Sequence, residues 1–233
     1  MKNGLIHVCF VIDESGSMWS SASDVTGGFA RMIKEQKELK EGGCLVSLFK
    51  FNHDVHEIYI GKDVNEIDGE HFVYEPGGST AMNDGICTAI DKVGKWLSDM
   101  DENERPEKNL IVIMTDGYEN SSKEFTLEQV REKIQHQTEK YNWSFTYMGT
   151  DVSDSSYTNS IMGGISGCTW AYNTRDNYDA NYSILASSVK TFRCAESLSN
   201  QDKDTLFTKS LADACNDLTE RYEQETGNKM KTV

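Results

Sequence analysis

Apolar residues along the chain follow two rhythms. Short continuous runs, Leu5 to Ile12 and Leu110 to Met114, are rich in branched side chains and stop abruptly, as strands buried on both faces of a parallel sheet do. Elsewhere the spacing is helical. Val25, Phe29, Met32, Ile33, Gln36 and Leu39 mark one helix, stopped by Gly42-Gly43. Met82, Ile86, Ala89, Ile90, Val93 and Leu97 mark a second, starting near Asp84. Leu127, Val130, Ile134 and Tyr141 mark a third, opened by the capping box Thr126-x-x-Gln129. Tyr178, Tyr182, Leu185, Val189 and Phe192 mark a fourth.

The remaining strands fall between these helices. Cys44 to Phe51 and Val55 to Ile60 form a hairpin about the turn Asn52-His53-Asp54, which makes the second of them antiparallel. Residues 61 to 76 read as a surface connection. Trp143 to Met148 and Cys168 to Tyr172 are two further strands, joined by a polar crest loop from Gly149 to Ser160 and a short helix ending at Gly163-Gly164. Strands alternating with helices, linked by right-handed crossovers, give an α/β doubly wound sheet, mostly parallel, with helices on both faces. From Glu196 onward only an amphipathic stripe remains, Leu198, Phe207, Leu211, Ala214, Leu218 and Tyr222. The expected organisation is therefore a domain over 1–195 and a C-terminal helical extension over 196–233 that packs on it.

Composition narrows the partners. The chain has 233 residues, long enough for a core that needs neither disulfides nor structural metal, and its net charge is -15, from 23 basic and 38 acidic side chains. Such a surface repels nucleic-acid backbones and anionic membranes and favours cations. The cysteines, at positions 9, 44, 87, 168, 194 and 215, are scattered without a Cys-x-x-Cys and read as reduced thiols. Met1-Lys2-Asn3-Gly4 leads straight into a strand rather than a secretory signal, and no apolar run approaches a membrane span, so a cytoplasmic address is expected.

The candidate chemistry lies where the buried strands end, since ligands of open α/β sheets bind beyond the carboxyl ends of their strands. Asp13-Glu14-Ser15-Gly16-Ser17 follows the first run, and Thr115-Asp116-Gly117 follows the second. Between them, Pro76-Gly77-Gly78-Ser79-Thr80 delivers a hydroxyl just before a helix. Asp13, Ser15, Ser17, Thr80 and Asp116 thus offer a set of hard oxygens, suited to Mg2+, Mn2+ or Ca2+ and not to zinc or copper.

These three pieces, in this order, resemble the metal-ion-dependent adhesion site of von Willebrand factor type A domains. The phrases from Asp116 to Ser122 and from Trp143 to Asp151 are also similar to those of small stand-alone bacterial and phage proteins with this domain, so the resemblance covers about residues 5 to 193. It implies a Rossmann-like fold with an antiparallel edge strand. It also implies a Mg2+ or Mn2+ ion bound by the hydroxyls of Ser15, Ser17 and Thr80, with Asp13 and Asp116 holding waters. An ion with no directly bound carboxylate seeks an anionic ligand, so the implied function is binding a protein that presents Asp or Glu. Trp19, with Met18, gives an apolar rim beside that centre, and Tyr118 and Glu119 line the opposite side.

The alternative is a Mg-dependent phosphohydrolase or phosphotransferase with a similar sheet and Asp13 as nucleophile. Such enzymes carry Asp-x-Asp, and Ser15 stands where the second Asp would be. Neither a Gly-x-Ser-x-Gly elbow nor a phosphate-cradling Gly-x-x-x-x-Gly-Lys-Ser/Thr loop occurs. His53, Asp54, His56 and Glu57 cluster in sequence, but alternate residues at a hairpin point to opposite faces, which makes a solvated turn the expected reading.

Overall fold

The computed structural model describes residues 1–150, 155–172, 178–195 and 197–227. Six strands form one sheet: β1 (Lys2–Asp13), β2 (Gly43–Phe51), β3 (Val55–Asp63), β4 (Pro106–Thr115), β5 (Ser144–Gly149) and β6 (Cys168–Tyr172), in the order β3-β2-β1-β4-β5-β6. Every pairing is parallel except that of β3 with β2, which places the antiparallel strand at the edge. The expected fold class is therefore the observed one. The strands with the longest apolar runs, β1 and β4, are central, where both faces are covered.

Alternation along β1 divides the core in two. Ile6, Val8, Phe10 and Ile12 point to one face, where they join residues of α1 (Ala22–Glu38), α5 (Tyr178–Cys194) and α6 (Asn200–Thr226). Cys9 and Val11 point to the other, with α2 (Met82–Asp99), α3 (Leu127–Tyr141) and α4 (Ser155–Met162). Among the described residues, α1 to α5 belong to the βα alternation, and α6 adds a further helix on the first face. Its Phe207, Leu211, Cys215 and Leu218 are buried in that core, and the Tyr172 N–H of edge strand β6 donates to its Thr219 hydroxyl at 3.1 Å. Of the crest loop expected over 149–160, residues 151–154 lie outside the described residues, and α4 already begins at Ser155.

The connection after β3 is less exposed than expected. Val64, in a short 3-10 turn, and Ile67 beside it are buried, because this segment packs along α1, with Gly69 against Ala30 and Ile33. The capping box of α3 is present, with the Thr126 hydroxyl accepting from Gln129 N–H and the Gln129 side chain accepting from Thr126 N–H.

Candidate metal centre

Parallel register brings the first and third motifs together. Ile12 of β1 pairs with Met114 of β4, so the next residues, Asp13 and Thr115, emerge side by side at the carboxyl ends of adjacent strands. Thr115 donates its hydroxyl to Asp13 Oδ2 at 2.6 Å and accepts the Gly117 N–H at 3.1 Å. Ser15 N–H donates to Asp13 Oδ1 at 2.7 Å, an Asx turn that folds the chain back over the strand end. The Ser15 and Ser17 hydroxyls then lie 3.2 Å apart, and Ser17 donates to Asp116 Oδ1 at 2.5 Å.

Thr80 joins this group from the glycine-rich loop. Gly16 N–H donates to Gly78 O at 3.1 Å and Gly77 N–H to Glu14 O at 2.8 Å, so backbone exchange fixes the second loop against the first. A Cβ placed on Gly117 would stand 3.4 Å from Ser17 Oγ, 3.4 Å from Thr80 Oγ1 and 3.6 Å from Asp13 Oδ2. One point in space beside the third loop is thus within reach of oxygens from the first two, and glycine at 117 leaves that point open. Two carboxylates and three hydroxyls around it are a donor set that fits a hard divalent cation.

The electrostatics agree with that fit. Asp13 is fully buried, and burial together with the neighbouring Asp116 carboxylate pushes its pKa up to about 6, against the opposing hydrogen bonds from Thr115 and Ser15. Glu14, the next residue, is answered within the chain: Lys50 donates to its Oε1 at 2.6 Å and to Val73 O at 3.0 Å, and Glu75 N–H also donates to Oε1 at 2.7 Å. This buried pair and the Tyr74 hydroxyl, which donates to Asp13 O, hold the first motif from below. Among the described residues no group of three or more His, Cys, Asp or Glu side chains converges as a metal site, so a cation would be held here chiefly by hydroxyls. His53 and Asp54 form an exposed pair and Glu57 pairs with Lys92, in line with a solvated turn.

At the rim, Trp19 is 73% exposed and Tyr118 55% exposed. Glu119, expected beside Tyr118 facing a partner, turns inward instead. Its Oε1 accepts from Ser121 N–H and Ser122 N–H, and its Oε2 from Asn83 N–H and the Ser122 hydroxyl. The physical reason is the bare amino end of α2, whose N-cap is Ala81 and has no side-chain acceptor. A nucleophilic Asp13 is equally ill served, since both its oxygens already accept hydrogen bonds. Sequence reasoning assigned no role to Thr115, Glu14, Lys50 or Asn120. Thr115 was within reach of it, because a threonine ending the strand beside β1 must meet the side chain in register.

A family model described as "von Willebrand factor type A domain" matches residues 7–181. No curated protein matches. Solved structures with a similar fold include the pilus adhesin SpaC from Lactobacillus rhamnosus GG in its open conformation (12% identity, TM-score 0.62, covering 83% of this chain and 30% of that one). A second is the vWF domain of the type V pili tip protein Mfa5 from Porphyromonas gingivalis (13%, 0.57, 82% and 96%). A third is proximal thread matrix protein 1 from the mussel byssus "with zinc occupied MIDAS motif" (15%, 0.55, 79% and 45%). At these identities the likeness is one of fold. The chain spans less than half the length of several proteins it resembles, among them a von Willebrand factor type A protein from Catenulispora acidiphila, of which it covers 43%. Domains of this kind typically mediate protein interactions and are mostly adhesion or interaction modules rather than enzymes. On the match across residues 7–181 and the sheet that carries it, the chain belongs to the von Willebrand factor type A domain family.

Proposed function

We propose that this domain binds a divalent cation, Mg2+ or Mn2+, at the crest of its sheet and through it an acidic side chain, Asp or Glu, of a partner protein. The observation that carries this reading is the single point beside Gly117, on the third loop, that lies within 3.6 Å of the Asp13, Ser17 and Thr80 oxygens of the other two. Ser15, Ser17 and Thr80 would hold the ion through their hydroxyls, with Asp13 and Asp116 acting through water. When bound, the cation supplies an electrophilic centre that attracts a carboxylate. The chain's own residues do the rest. Thr115 and Ser15 orient Asp13, Asp116 orients Ser17, and the exposed Trp19 and Tyr118 offer apolar contact area around the centre. The mussel relative holds zinc in the corresponding motif, but an all-oxygen donor set favours Mg2+ or Mn2+ in this chain.

Two further expectations stand as proposals. All six cysteines are free and four are buried, which supports a reducing, cytoplasmic address, and among the described residues no helix is long and apolar enough to cross a membrane. The division into a domain over 1–195 and an extension over 196–233 is supported by the position of α6, which follows the last βα unit and covers the sheet beside β6.

The test is capture of a partner in Mg2+ and its release by a chelator, followed by replacement of the partner's acidic residues by their amides. Release by chelation, and loss of binding with one Asp→Asn or Glu→Gln change, are the expected results. A partner that stays bound in chelator would contradict the reading.

A further inference from the structure

Helix α2 carries Thr80 at its threshold, yet it cannot cap itself. Its first amide groups are orphan donors, and Ala81 at the N-cap offers them nothing. They are satisfied in trans by the loop that follows Asp116. Asn83 N–H donates to Glu119 Oε2 at 2.9 Å, and Asp84 N–H donates to Ser122 Oγ at 3.1 Å, whose hydroxyl in turn donates to Glu119 Oε2 at 2.8 Å. The exchange runs both ways. Asp84 accepts the N–H groups of Lys123, Glu124 and Phe125 at 2.8, 3.1 and 2.8 Å, so the helix caps the loop as the loop caps the helix. Thr80 itself is gripped on both sides of its peptide: its N–H donates to Asn120 Oδ1 at 2.9 Å, and its C=O accepts from Asn120 N–H at 3.0 Å and Ser121 N–H at 3.3 Å.

Resting on the cation reading above, we propose that Glu119 is a positioning residue that ties the Thr80 loop to the Asp116 loop, so that these two parts of the centre form one rigid unit before any metal arrives. Glu119 does not face the centre. It acts by holding the α2 amino end against residues 119–122, and its negative charge there also meets the positive end of the helix dipole. Groups that orient ligands in this way commonly alter metal affinity about 10- to 100-fold when removed, without touching the ion. Two loops locked to each other cannot move independently, so cation binding by this chain should proceed with little rearrangement of the Thr80 and Asp116 backbones.

The test compares two helix caps in the full chain. Glu119→Gln keeps the shape but loses the charge and part of the acceptor set; Thr126→Ala removes the conventional cap of α3, away from the centre. Mn2+ affinity is measured by calorimetry and fold stability by thermal unfolding for both variants and the wild type. Glu119→Gln should lower Mn2+ affinity about tenfold or more, while Thr126→Ala, though destabilised, stays within about twofold of wild type. The inference is overturned if the wild type binds Mn2+ and Glu119→Gln binds it equally well, or if the two variants lose affinity in parallel with stability. A Glu119→Gln protein that does not fold is replaced by Asn120→Ala, which frees the Thr80 N–H and must then show the same affinity loss. A wild type that binds no Mn2+ at all overturns both this inference and the cation reading.

Discussion

His7 and Asp13 lie on the same strand, on the same face and fully buried, about 20 Å apart for six residues of extended chain. Their surroundings differ in kind. Around His7 the polar groups close on themselves: Gly61 N–H donates to Ser47 Oγ at 2.9 Å, the Ser47 hydroxyl donates to His7 Nε2 at 2.7 Å, and His7 Nδ1–H donates to Asn109 Oδ1 at 3.2 Å. Burial lowers the His7 pKa to about 4, with the Asn109 bond opposing, so the ring in this network is neutral near pH 7. Around Asp13 burial works in the other direction, and a second carboxylate adds to it. Hydroxyls and an amide meet this acid where Lys50 meets Glu14. A buried polar cluster that is complete is architecture; one that gathers acids and alcohols around an open point has the donors that the proposed cation needs.

The sharpest way to break this comparison is to fill the open point. Gly117→Ala places a methyl group there at ordinary contact distances, so the protein should fold while Mn2+ affinity falls by at least about a hundredfold. Calorimetric titration with a thermal melt on the same sample checks it, and unchanged affinity would mean that the point is not the centre.

The closed cluster should respond to acid instead. His7 has a folded pKa below its unfolded value of 6.5, so its contribution is complete above pH 6.5 and is lost as the pH falls from there to about 4. The loss amounts to about 3 kcal/mol at most for a shift of this size. Asp13, with a raised pKa, acts with the opposite sign over part of the same range, so the quantity to measure is the difference in urea stability between wild type and His7→Gln at each pH. A difference that does not vary between pH 4 and 7 would contradict a buried, neutral His7.

Two serine substitutions sharpen the contrast further. Ser47→Ala strands the Gly61 N–H and the His7 ring, costing about 2 kcal/mol of stability with no change in Mn2+ affinity. Ser17→Ala should do the reverse, lowering Mn2+ affinity at least about tenfold while stability changes by less than about 1 kcal/mol. The smallest effect is expected at Trp19, which is exposed: Trp19→Ala should leave both stability and Mn2+ affinity within about 0.5 kcal/mol of wild type, and only partner binding should weaken. Equal loss of metal and partner would show that Trp19 supports the loop.

Much of this was legible because the signals were local. The runs that became β1 and β4, the capping box of α3 and the three crest motifs each declare themselves within a few residues, and a parallel sheet leaves little freedom in where their ends meet. The parts misread depend on contacts across the chain. Asp84 lies in the first turn of α2, near the expected start, but its carboxylate serves residues 123–125 rather than its own helix. Glu119 looked like a rim residue because nothing in its neighbourhood reveals that Ala81, far away in sequence, leaves a helix uncapped. Lys50 likewise sits in an apolar strand with its partner, Glu14, hidden inside the first motif.

The central claim is that three hydroxyls from two loops, with the Asp116 loop beside them, share one cation. A crystal grown in Mn2+ and measured at wavelengths sensitive to manganese tests it most directly. A single manganese peak should lie beside Gly117, about 2.0–2.4 Å from the hydroxyl oxygens of Ser15, Ser17 and Thr80. Manganese located elsewhere on the molecule, with that centre empty at saturating concentration, would contradict it.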